Sequence, residues 1–171
     1  DSAGDVDGWR AREDVEVLHI EEQETTDLEK CLYSVSAPFF FGVGFMGRRF
    51  DHSLAALHAL ARWHARPALL LAEEEVAFLC PPNWRIRLEA GARVSLFPLA
   101  PVRALGSTGL EWPLDGPIFA PGARIGTSNV AAADEVASRF SARAMVCLLE
   151  RRFLGAALDS LLDAIPRPGR R

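Results

Sequence analysis

The sequence predicts a mixed fold class, with a partial parallel α/β domain over residues 1–72 and an all-β antiparallel sandwich domain over residues 73–171. Two observations carry this prediction. The first region alternates strand-like and helix-like apolar patterns, as a sheet with crossover helices does. The second region consists of short apolar segments separated by Pro and Gly, which is typical of an antiparallel sandwich or barrel.

Three strands and two helices are predicted in the first region. The segment "VEVLHI" (15–20) alternates like a strand, and "TTDLEKCLYSV" follows as a helix with Thr26 or Asp27 as its N-cap. The continuous apolar run "PFFFGVGF" is typical of a strand buried on both faces of a parallel sheet. A helix from about Asp51 to His64 and a strand at "ALLLA" complete the order strand, helix, strand, helix, strand. This order predicts a parallel sheet with right-handed crossovers.

Eight short strands and one helix are predicted in the second region. The helix covers about residues 153 to 164, where apolar side chains recur on one face. The predicted strands are "VAFLC", "WRIRLE", "RVSLFPLA", "VRALGS", "LEWPL", "ARIGTSN", "VASRFS" and "RAMVCLLE".

Composition and charge exclude several classes of protein. The 171 residues are 49% hydrophobic and 25% charged, as in globular proteins, and the net charge of −4 offers no basic field for nucleic acid. No apolar run is long enough to cross a bilayer. The three cysteines, Cys31, Cys80 and Cys147, lack zinc-site spacing and are each predicted to be buried. We therefore expect a cytoplasmic protein that binds neither nucleic acid nor a membrane.

The stretch "EEQETTDLEK" contains a first candidate site. Asp27 lies at a predicted helix start, where a carboxylate can cap the helix or bind a hard cation such as Mg2+. Lys30, one turn further on, is either a solvated helix residue or a phosphate ligand. The residue types alone leave both alternatives open.

A second candidate is the glycine-rich stretch "GFMGRRFDH" (44–52), which follows a predicted buried strand. Ligands of α/β proteins bind at the carboxyl ends of such strands, and Arg49 can direct a planar guanidinium at phosphate oxygens. Asp51 is the predicted N-cap of the next helix. The alternative is a polar strand-to-helix turn that binds nothing.

A third candidate lies in "STGLEWPLDGPIFAPGARIGTSN" (107–129). Trp112 precedes a proline, so it is predicted on a strand or loop, where its ring is either part of the core or open to a flat ligand. Ser128 and Asn129 can cap a turn or give a ligand one hydroxyl and one amide.

Taken together, five collinear blocks resemble the thiamine pyrophosphokinase family. The family patterns "GDxDS", "DQDxTDxxK", "GxxGGRxDH", "TGLxWPLDG" and "GTSN" correspond in order to Asp1-Ser2, Gln23 to Lys30, Gly44 to His52, Thr108 to Gly116 and Gly126 to Asn129. The last two blocks are long and unusual, and the resemblance runs from residue 1 to about residue 150.

The resemblance implies a Rossmann-like ATP-binding domain, here lacking its N-terminal part, and a thiamine-binding sandwich domain. Family enzymes use Mg2+ and ATP, transfer a diphosphate group to the thiamine hydroxyl, release AMP, and build the active site between two subunits of a homodimer. The implied sites are Asp1 and Asp27 for the metal, Thr26, Lys30, Gly47, Arg49 and His52 for ATP, Gln23, Trp112, Ser128 and Asn129 for thiamine, and Asp27, Arg49 and Asp51 for catalysis.

Several positions depart from the family patterns. Glu22 and Glu24 replace the usual aspartates, and Arg48 replaces the second glycine of its block. The motif beginning with Asp1 has a rival in "GDVDG", which places Asp5 and Asp7 as metal ligands instead. A non-catalytic thiamine-binding module, or a sandwich that only dimerises, is therefore the alternative function. The leading hypothesis requires both halves of the site to meet in one crevice, with a neighbouring copy contributing one half.

Overall fold

The computed structural model describes residues 6–47 and 49–165. Residues 1–5, Arg48 and residues 166–171 lie outside the described residues. The predictions for Asp1, Asp5 and Arg48 therefore fall outside the described residues as well. The helices are α1 (Val6–Arg10), α2 (Asp27–Ser34), α3 (Phe50–Arg62) and α4 (Leu154–Asp163), with a 3-10 helix at Arg151–Phe153. The strands are β1 (Phe40–Val43), β2 (Ala68–Leu71), β3 (Glu75–Leu79), β4 (Asn83–Arg87), β5 (Arg93–Pro98), β6 (Val102–Thr108), β7 (Ile118–Phe119), β8 (Gly126–Val130), β9 (Glu135–Phe140) and β10 (Met145–Glu150).

The strands form one mixed sheet and one antiparallel sheet. The mixed sheet has six strands in the order β1-β2-β3-β10-β5-β8, in which β1 and β2 are parallel and the other neighbours are antiparallel. The second sheet has four strands in the order β4-β9-β6-β7. The mixed sheet thus contains strands from both predicted domains. The predicted boundary at residues 72 and 73 falls in the turn that joins β2 to β3, and the division into two domains stays a prediction.

Side chains that alternate along the inner strands bury both faces of the mixed sheet, whereas the edge strand β1, which was predicted to be buried on both faces, has Phe41 and Val43 exposed. Leu69, Val76 and Phe78 belong to an apolar cluster that also contains Trp84 and Ile86 of the four-stranded sheet. Their chain neighbours Leu70, Ala77 and Leu79 join a second cluster with residues of α2 and α3. Such burial on both faces explains why "ALLL" of β2 and "VAFL" of β3 lack polar residues.

Two of the predicted helices cover one face of the mixed sheet. Leu28 and Leu32 of α2 are buried, as are Ala56, Ala59 and Leu60 of α3. Each buried leucine contributes about 1.5 to 3 kcal/mol from the apolar surface removed from water. Because α3 connects the parallel strands β1 and β2, this part forms a βαβ unit, as the sequence predicts. A Rossmann-like arrangement beyond that unit stays a prediction.

The predicted helix at the end of the chain is confirmed as the 3-10 turn followed by α4. It contacts β4 of the four-stranded sheet and buries Ala157 and Leu161. The Ser160 hydroxyl also donates a hydrogen bond of 2.5 Å to the carbonyl of Arg85. Within the described residues, no helix has the length and apolar character that a bilayer span requires.

Two strand predictions are wrong. Residues 15–20 form no strand, since β1 is the edge of the mixed sheet and pairs with β2 alone. A strand without a neighbour has no ladder to satisfy its backbone groups. The segment "LEWPL" (110–114) is a loop that makes one isolated bridge, Leu110 to Ala131. Its Pro113 lacks an N–H, and the backbone of Trp112 bonds to a side chain instead of a strand.

Two further predictions are corrected by the structure. The N-cap of α3 is Arg49, so Asp51 lies in the first turn of the helix and does not cap it. Cys31 is exposed, while Cys80 and Cys147 are buried as predicted. The exposure of Cys31 follows from its place on α2, because Leu28 and Leu32 occupy the buried face of that helix.

Candidate active site

A cleft of about 450 Å³ lies between the first turns of α2 and α3, at the carboxyl end of β1. We call it the α2/α3 cleft. It brings together three predicted site residues, Thr26, Asp27 and His52. Its lining consists of Thr26, Asp27, Leu28, Val43, Gly44, Phe45, His52, Ala55 and Ala56.

The first turn of α2 presents Asp27 to this cleft. Thr26 is the N-cap, and its hydroxyl accepts a hydrogen bond from the backbone N–H of Glu29. Asp27 follows as the first helical residue, with a side chain that is 73% exposed and 4.0 Å from the Lys30 ammonium. The Lys30 side chain is only 16% exposed. An accessible carboxylate beside a shielded ammonium is suited to a ligand that carries both a metal ion and phosphate groups.

Glu29 is a buried carboxylate that the sequence reasoning missed. Its side chain is 3% exposed and accepts hydrogen bonds from the Thr26 backbone N–H at 3.0 Å and from Arg62 Nη1 at 2.9 Å. The backbone bond, followed by the Thr26 hydroxyl and Arg62, lowers the pKa of Glu29. The pattern Thr-x-x-Glu is the sequence signal of such a capping box and predicts this contact.

Glu22 occupies a position where the resemblance expects an aspartate, and its carboxylate is fully engaged. It accepts hydrogen bonds from the backbone N–H groups of Glu24 at 2.7 Å and Thr25 at 3.0 Å, and from the Tyr33 hydroxyl at 3.0 Å. The Thr25 hydroxyl donates a further bond. These bonds, with that of the Thr25 hydroxyl the strongest, lower the pKa of Glu22 to about 2. Gln23 lies beside it on the surface and donates to the Glu21 carbonyl.

The turn between β1 and α3 contains two glycines with positive φ, Gly44 at 85° and Gly47 at 140°. The Gly47 N–H donates to the Ser53 hydroxyl at 3.2 Å, which closes the turn. Arg49 contacts Asp51 at 2.6 Å with both side chains largely exposed, and the hydrogen bond from Arg49 lowers the pKa of Asp51. Because the pair is exposed, a phosphate can replace Asp51 as the partner of Arg49.

Trp112 lies in a separate place, which we call the Trp112 corner (Gly109, Trp112, Ser128 and Asn129). Its indole is 57% exposed. Asn129 is 3% exposed, and its amide accepts from the Trp112 N–H at 3.1 Å and donates to the Trp112 carbonyl at 2.7 Å. A buried side chain therefore fixes the backbone of an exposed aromatic ring, as expected of a surface that binds a flat ligand.

The backbone of the Trp112 corner is unusual at two points. Ser128 has φ of 60°, the one positive value among described residues other than glycine, and its N–H donates to the Ser95 hydroxyl at 3.0 Å. Gly109 has φ of 75°, and a Cβ there would lie 2.0 Å from the carbonyl oxygen of Glu135. The Ser128 side chain is exposed beside Asn129. Its exposed hydroxyl is thus accessible to a ligand.

The two parts of the predicted site lie at opposite edges of the mixed sheet. Successive strand pairings connect Gly42 of β1, through β2, β3 and β10, to Ser95 of β5. The neighbouring residue of β5, Val94, pairs with Asn129 of β8. The α2/α3 cleft and the Trp112 corner are therefore level with each other along the strands. Five strand spacings separate β1 from β8, which corresponds to roughly 24 Å. Within one chain, the mixed sheet keeps the two groups of residues apart.

No group of three Asp, Glu, His or Cys side chains converges on a metal position within residues 6–47 and 49–165. Of the predicted metal ligands, the structure describes Asp27 and, from the rival motif, Asp7, which pairs with Arg10 at 3.6 Å. A second concavity, of about 430 Å³, lies against β4, β6 and β9 of the four-stranded sheet, and none of the predicted site residues lines it.

Residues 84–146 match the family model described as the vitamin B1 binding domain of thiamin pyrophosphokinase. This range includes Trp112, Ser128 and Asn129. Thiamine pyrophosphokinase 3 of Oryza sativa subsp. japonica is 32% identical over 124 residues, which cover 64% of this chain and 46% of the relative. Thiamine pyrophosphokinase 1 of Arabidopsis thaliana is 28% identical over 130 residues, covering 67% and 49%. The chain thus spans about half the length of these curated relatives.

Solved structures share the fold. Thiamin pyrophosphokinase from Geobacillus thermodenitrificans superposes with a TM-score of 0.62 at 21% identity, over 75% of this chain and 62% of the other. The enzyme from Bacillus subtilis gives a TM-score of 0.59 at 18% identity, over 75% and 64%. At these identities the likeness shows the fold alone, namely a mixed sheet with helices and a second antiparallel sheet. The family model and the curated relatives thus indicate the thiamine pyrophosphokinase family, and the solved structures share the fold of this chain.

Proposed function

We propose that this chain acts as a thiamine diphosphokinase, which transfers a diphosphate group from ATP to the hydroxyl of thiamine. The carrying observation is the Trp112 corner, which lies inside the matched vitamin B1 binding range and presents an exposed indole on a backbone fixed by buried Asn129. Thiamine is a cation with flat rings, and an indole face attracts such a ligand. The exposed hydroxyl of Ser128 supplies a polar contact.

ATP and Mg2+ are assigned to the α2/α3 cleft and the adjoining turn. Thr26, Lys30, Gly47, Arg49 and His52 are the proposed nucleotide contacts, with Arg49 exchanging Asp51 for a phosphate oxygen. Asp27 suits Mg2+, since its carboxylate is exposed and Mg2+ is commonly held by one or two carboxylates together with substrate phosphates. Asp1 is the proposed second ligand. When bound, Mg2+ neutralises charge on the phosphate oxygens.

The proposed reaction is an in-line displacement at the β-phosphorus of ATP. The thiamine hydroxyl oxygen forms a bond to this phosphorus, the bond from the phosphorus to the bridging oxygen of the α-phosphate breaks, and AMP leaves with that electron pair. Asp27 accepts the hydroxyl proton, and Lys30 and Arg49 stabilise charge on the phosphate oxygens. Gln23 contributes to the thiamine pocket, and Asp51 holds Arg49 in place until the nucleotide binds.

We also propose that the active site lies between two chains of a homodimer. The α2/α3 cleft and the Trp112 corner are level on the mixed sheet but roughly 24 Å apart, at its opposite edges. A transferred diphosphate cannot cross that distance. In a two-fold dimer the cleft of one chain can face the Trp112 corner of its partner, which brings both halves together twice.

Complementation between two inactive variants tests this arrangement. Asp27→Asn removes the proton acceptor, and Trp112→Ala removes the thiamine stacking face, so each variant alone is expected to have little activity when the thiamine concentration is far below KM. Co-refolded mixtures are expected to regain about a quarter of wild-type activity, since half of the dimers are mixed and each has one intact site. AMP release is the measurement. A mixture that stays inactive, while each variant still dimerises, contradicts the shared site.

Thiamine binding by Trp112→Ala provides the quantitative test of the corner itself. The loss of one large aromatic contact weakens thiamine binding by about 1 to 3 kcal/mol. Isothermal titration calorimetry measures this change, with exposed Trp9 in α1 changed to Ala as the matched control. Unchanged affinity removes Trp112 from the site.

A non-catalytic thiamine-binding module is the second candidate function. The observation in its favour is that the matching family model, over residues 84–146, is that of the vitamin B1 binding domain. Calorimetry distinguishes the two functions, since an enzyme binds both thiamine and Mg-ATP whereas the module binds thiamine alone.

A further inference from the structure

We propose that Glu22, Glu29, Tyr33 and Arg62 form a positioning brace that holds the first turn of α2, and with it Asp27, in its catalytic place. This inference rests on the proposed function. None of these four residues is among the predicted site residues, and none needs to touch a substrate. The brace is defined by the two carboxylates that flank Asp27 in the sequence, Glu22 and Glu29, and by the groups that hold them.

The first half of the brace connects α2 to α3. Glu29 is buried on α2, and its carboxylate bonds both to the Thr26 N–H at 3.0 Å and to Arg62 near the end of α3 at 2.9 Å. Asp27 lies between Thr26 and Glu29. The buried carboxylate of Glu29 therefore connects the first turn of α2, which contains Asp27, with α3, which contains His52. These two elements form the two sides of the α2/α3 cleft.

The second half of the brace fixes the loop before α2. Glu22 accepts two backbone N–H bonds and two hydroxyl bonds, one of them from Tyr33 at 3.0 Å. Tyr33 also contacts the Trp63 ring at the end of α3, with ring centroids 6.1 Å apart. Glu29 and Tyr33 are four residues apart, so they lie on the same face of α2. Both halves of the brace thus meet the end of α3.

The carboxylates of Glu22 and Glu29 differ from that of Asp27 in how many hydrogen-bond donors they already contact. Asp27 is 73% exposed, and Lys30, at 4.0 Å, is its only ion-pair partner among the residues that the structure describes, so Asp27 is open to a ligand. Glu22 and Glu29 have their oxygens occupied by N–H, hydroxyl and guanidinium donors. Neither is therefore free to bind a cation, although Glu22 lies where the family pattern has an aspartate. Removal of the brace is therefore expected to leave the side chain of Asp27 present but displaced from its position.

Arg62→Ala is the decisive variant, with Arg62→Lys as its conservative rescue and Arg152→Ala as its control. Arg152 bonds to Glu150 at the same 2.9 Å and is 52% exposed, against 56% for Arg62, but it lies outside both parts of the site. We expect Arg62→Ala to lower kcat about 10- to 100-fold with KM for thiamine nearly unchanged, because misplacement of reacting groups acts on the transition state. Arg62→Lys is expected to recover most of kcat, and Arg152→Ala to retain the wild-type value.

Hydrogen exchange provides a readout that does not depend on activity. The Lys30 amide, which bonds to the Thr26 carbonyl at 3.0 Å, is expected to exchange at least about tenfold faster in Arg62→Ala than in Arg152→Ala. The brace is overturned if Arg62→Ala keeps both kcat and this exchange rate within about twofold of the control. If the wild-type protein has no diphosphokinase activity, the proposed function fails, and the exchange rates alone decide whether the brace exists.

Discussion

The α2/α3 cleft and the Trp112 corner differ in how firmly the fold holds the side chains that can contact a ligand. In the cleft and its adjoining turn, the side chains of Asp27, Arg49 and Asp51 are exposed; Asp27 pairs with Lys30, and Arg49 pairs with Asp51. In the corner, one exposed ring lies on a backbone that buried Asn129 holds in place. The cleft can rearrange around phosphates and a cation, whereas the corner is rigid before a ligand arrives. Substitutions that remove supports should therefore cost far more in the corner than in the cleft.

The largest expected effect comes from Gly109→Ala in the Trp112 corner. A Cβ at Gly109 lies 2.0 Å from the Glu135 carbonyl oxygen, a backbone atom that cannot move away. We expect a loss of about 3 kcal/mol or more in the free energy of unfolding, since steric overlap adds to the backbone strain. Urea unfolding followed by tryptophan fluorescence measures it.

Gly122→Ala is the matched control for this prediction. Gly122 has φ of 73°, close to the 75° of Gly109, but no atom lies within 4 Å of its built Cβ. Only the cost of the left-handed backbone, about 1 to 2 kcal/mol, is expected there. Equal losses in the two variants would show that the close approach to β9 does not constrain the corner.

Asn129→Ala is expected to have an intermediate effect. The substitution leaves the N–H and the carbonyl of Trp112 without their buried partner, which costs about 1 to 3 kcal/mol of unfolding free energy. Thiamine affinity should fall as well, because the ring loses its fixed orientation. Exposed Asn83 of β4, changed to Ala, is the control and should alter neither quantity. Full thiamine affinity in Asn129→Ala would contradict the rigid-corner interpretation.

The smallest expected effect is the acid response of Glu22 beside the cleft. Its folded pKa of about 2 lies below its ordinary value of 4.5, so its contribution to stability is fully present above pH 4.5. That contribution is lost as the pH falls from 4.5 towards 2 and Glu22 becomes protonated. Thermal unfolding between pH 7 and pH 2.5 should show wild type and Glu22→Gln differing at neutral pH and converging in acid. Parallel curves would contradict the hydrogen-bonded loop.

The sequence predicts helices α2, α3 and α4 but not α1, and two of its strand predictions fail. Helices α2, α3 and α4 are confirmed because apolar spacing decides helix burial locally, as Leu28 and Leu32 show. The alternation in residues 15–20 fails because a strand also needs a neighbour, and β1 has only β2. The single mixed sheet was likewise not predictable, since the antiparallel pairing of β2 with β3 and of β3 with β10 depends on contacts distant in sequence.

The site shows the same division between local and distant information. Thr26 as an N-cap was among the predicted alternatives, and the Thr-x-x-Glu pattern contains the information for Glu29. Asn129 was identified as a site residue, but its two bonds to Trp112 join positions 17 residues apart, and no local pattern specifies them. The distance between cleft and corner depends on the strand order alone. The candidate site residues can thus be identified from the sequence, whereas their relative positions can be known only from the three-dimensional structure.

The continuous mixed sheet has a mechanical consequence for how substrates are enclosed. Strands β2 and β3 hydrogen-bond directly to each other, so no flexible linker separates the α/β part from the part that carries the Trp112 corner. A hinge between two lobes, by which many kinases shut around ATP, has no place to bend here. In the proposed enzyme, the short loops that border the cleft or the approach of a neighbouring subunit would instead exclude water during diphosphate transfer.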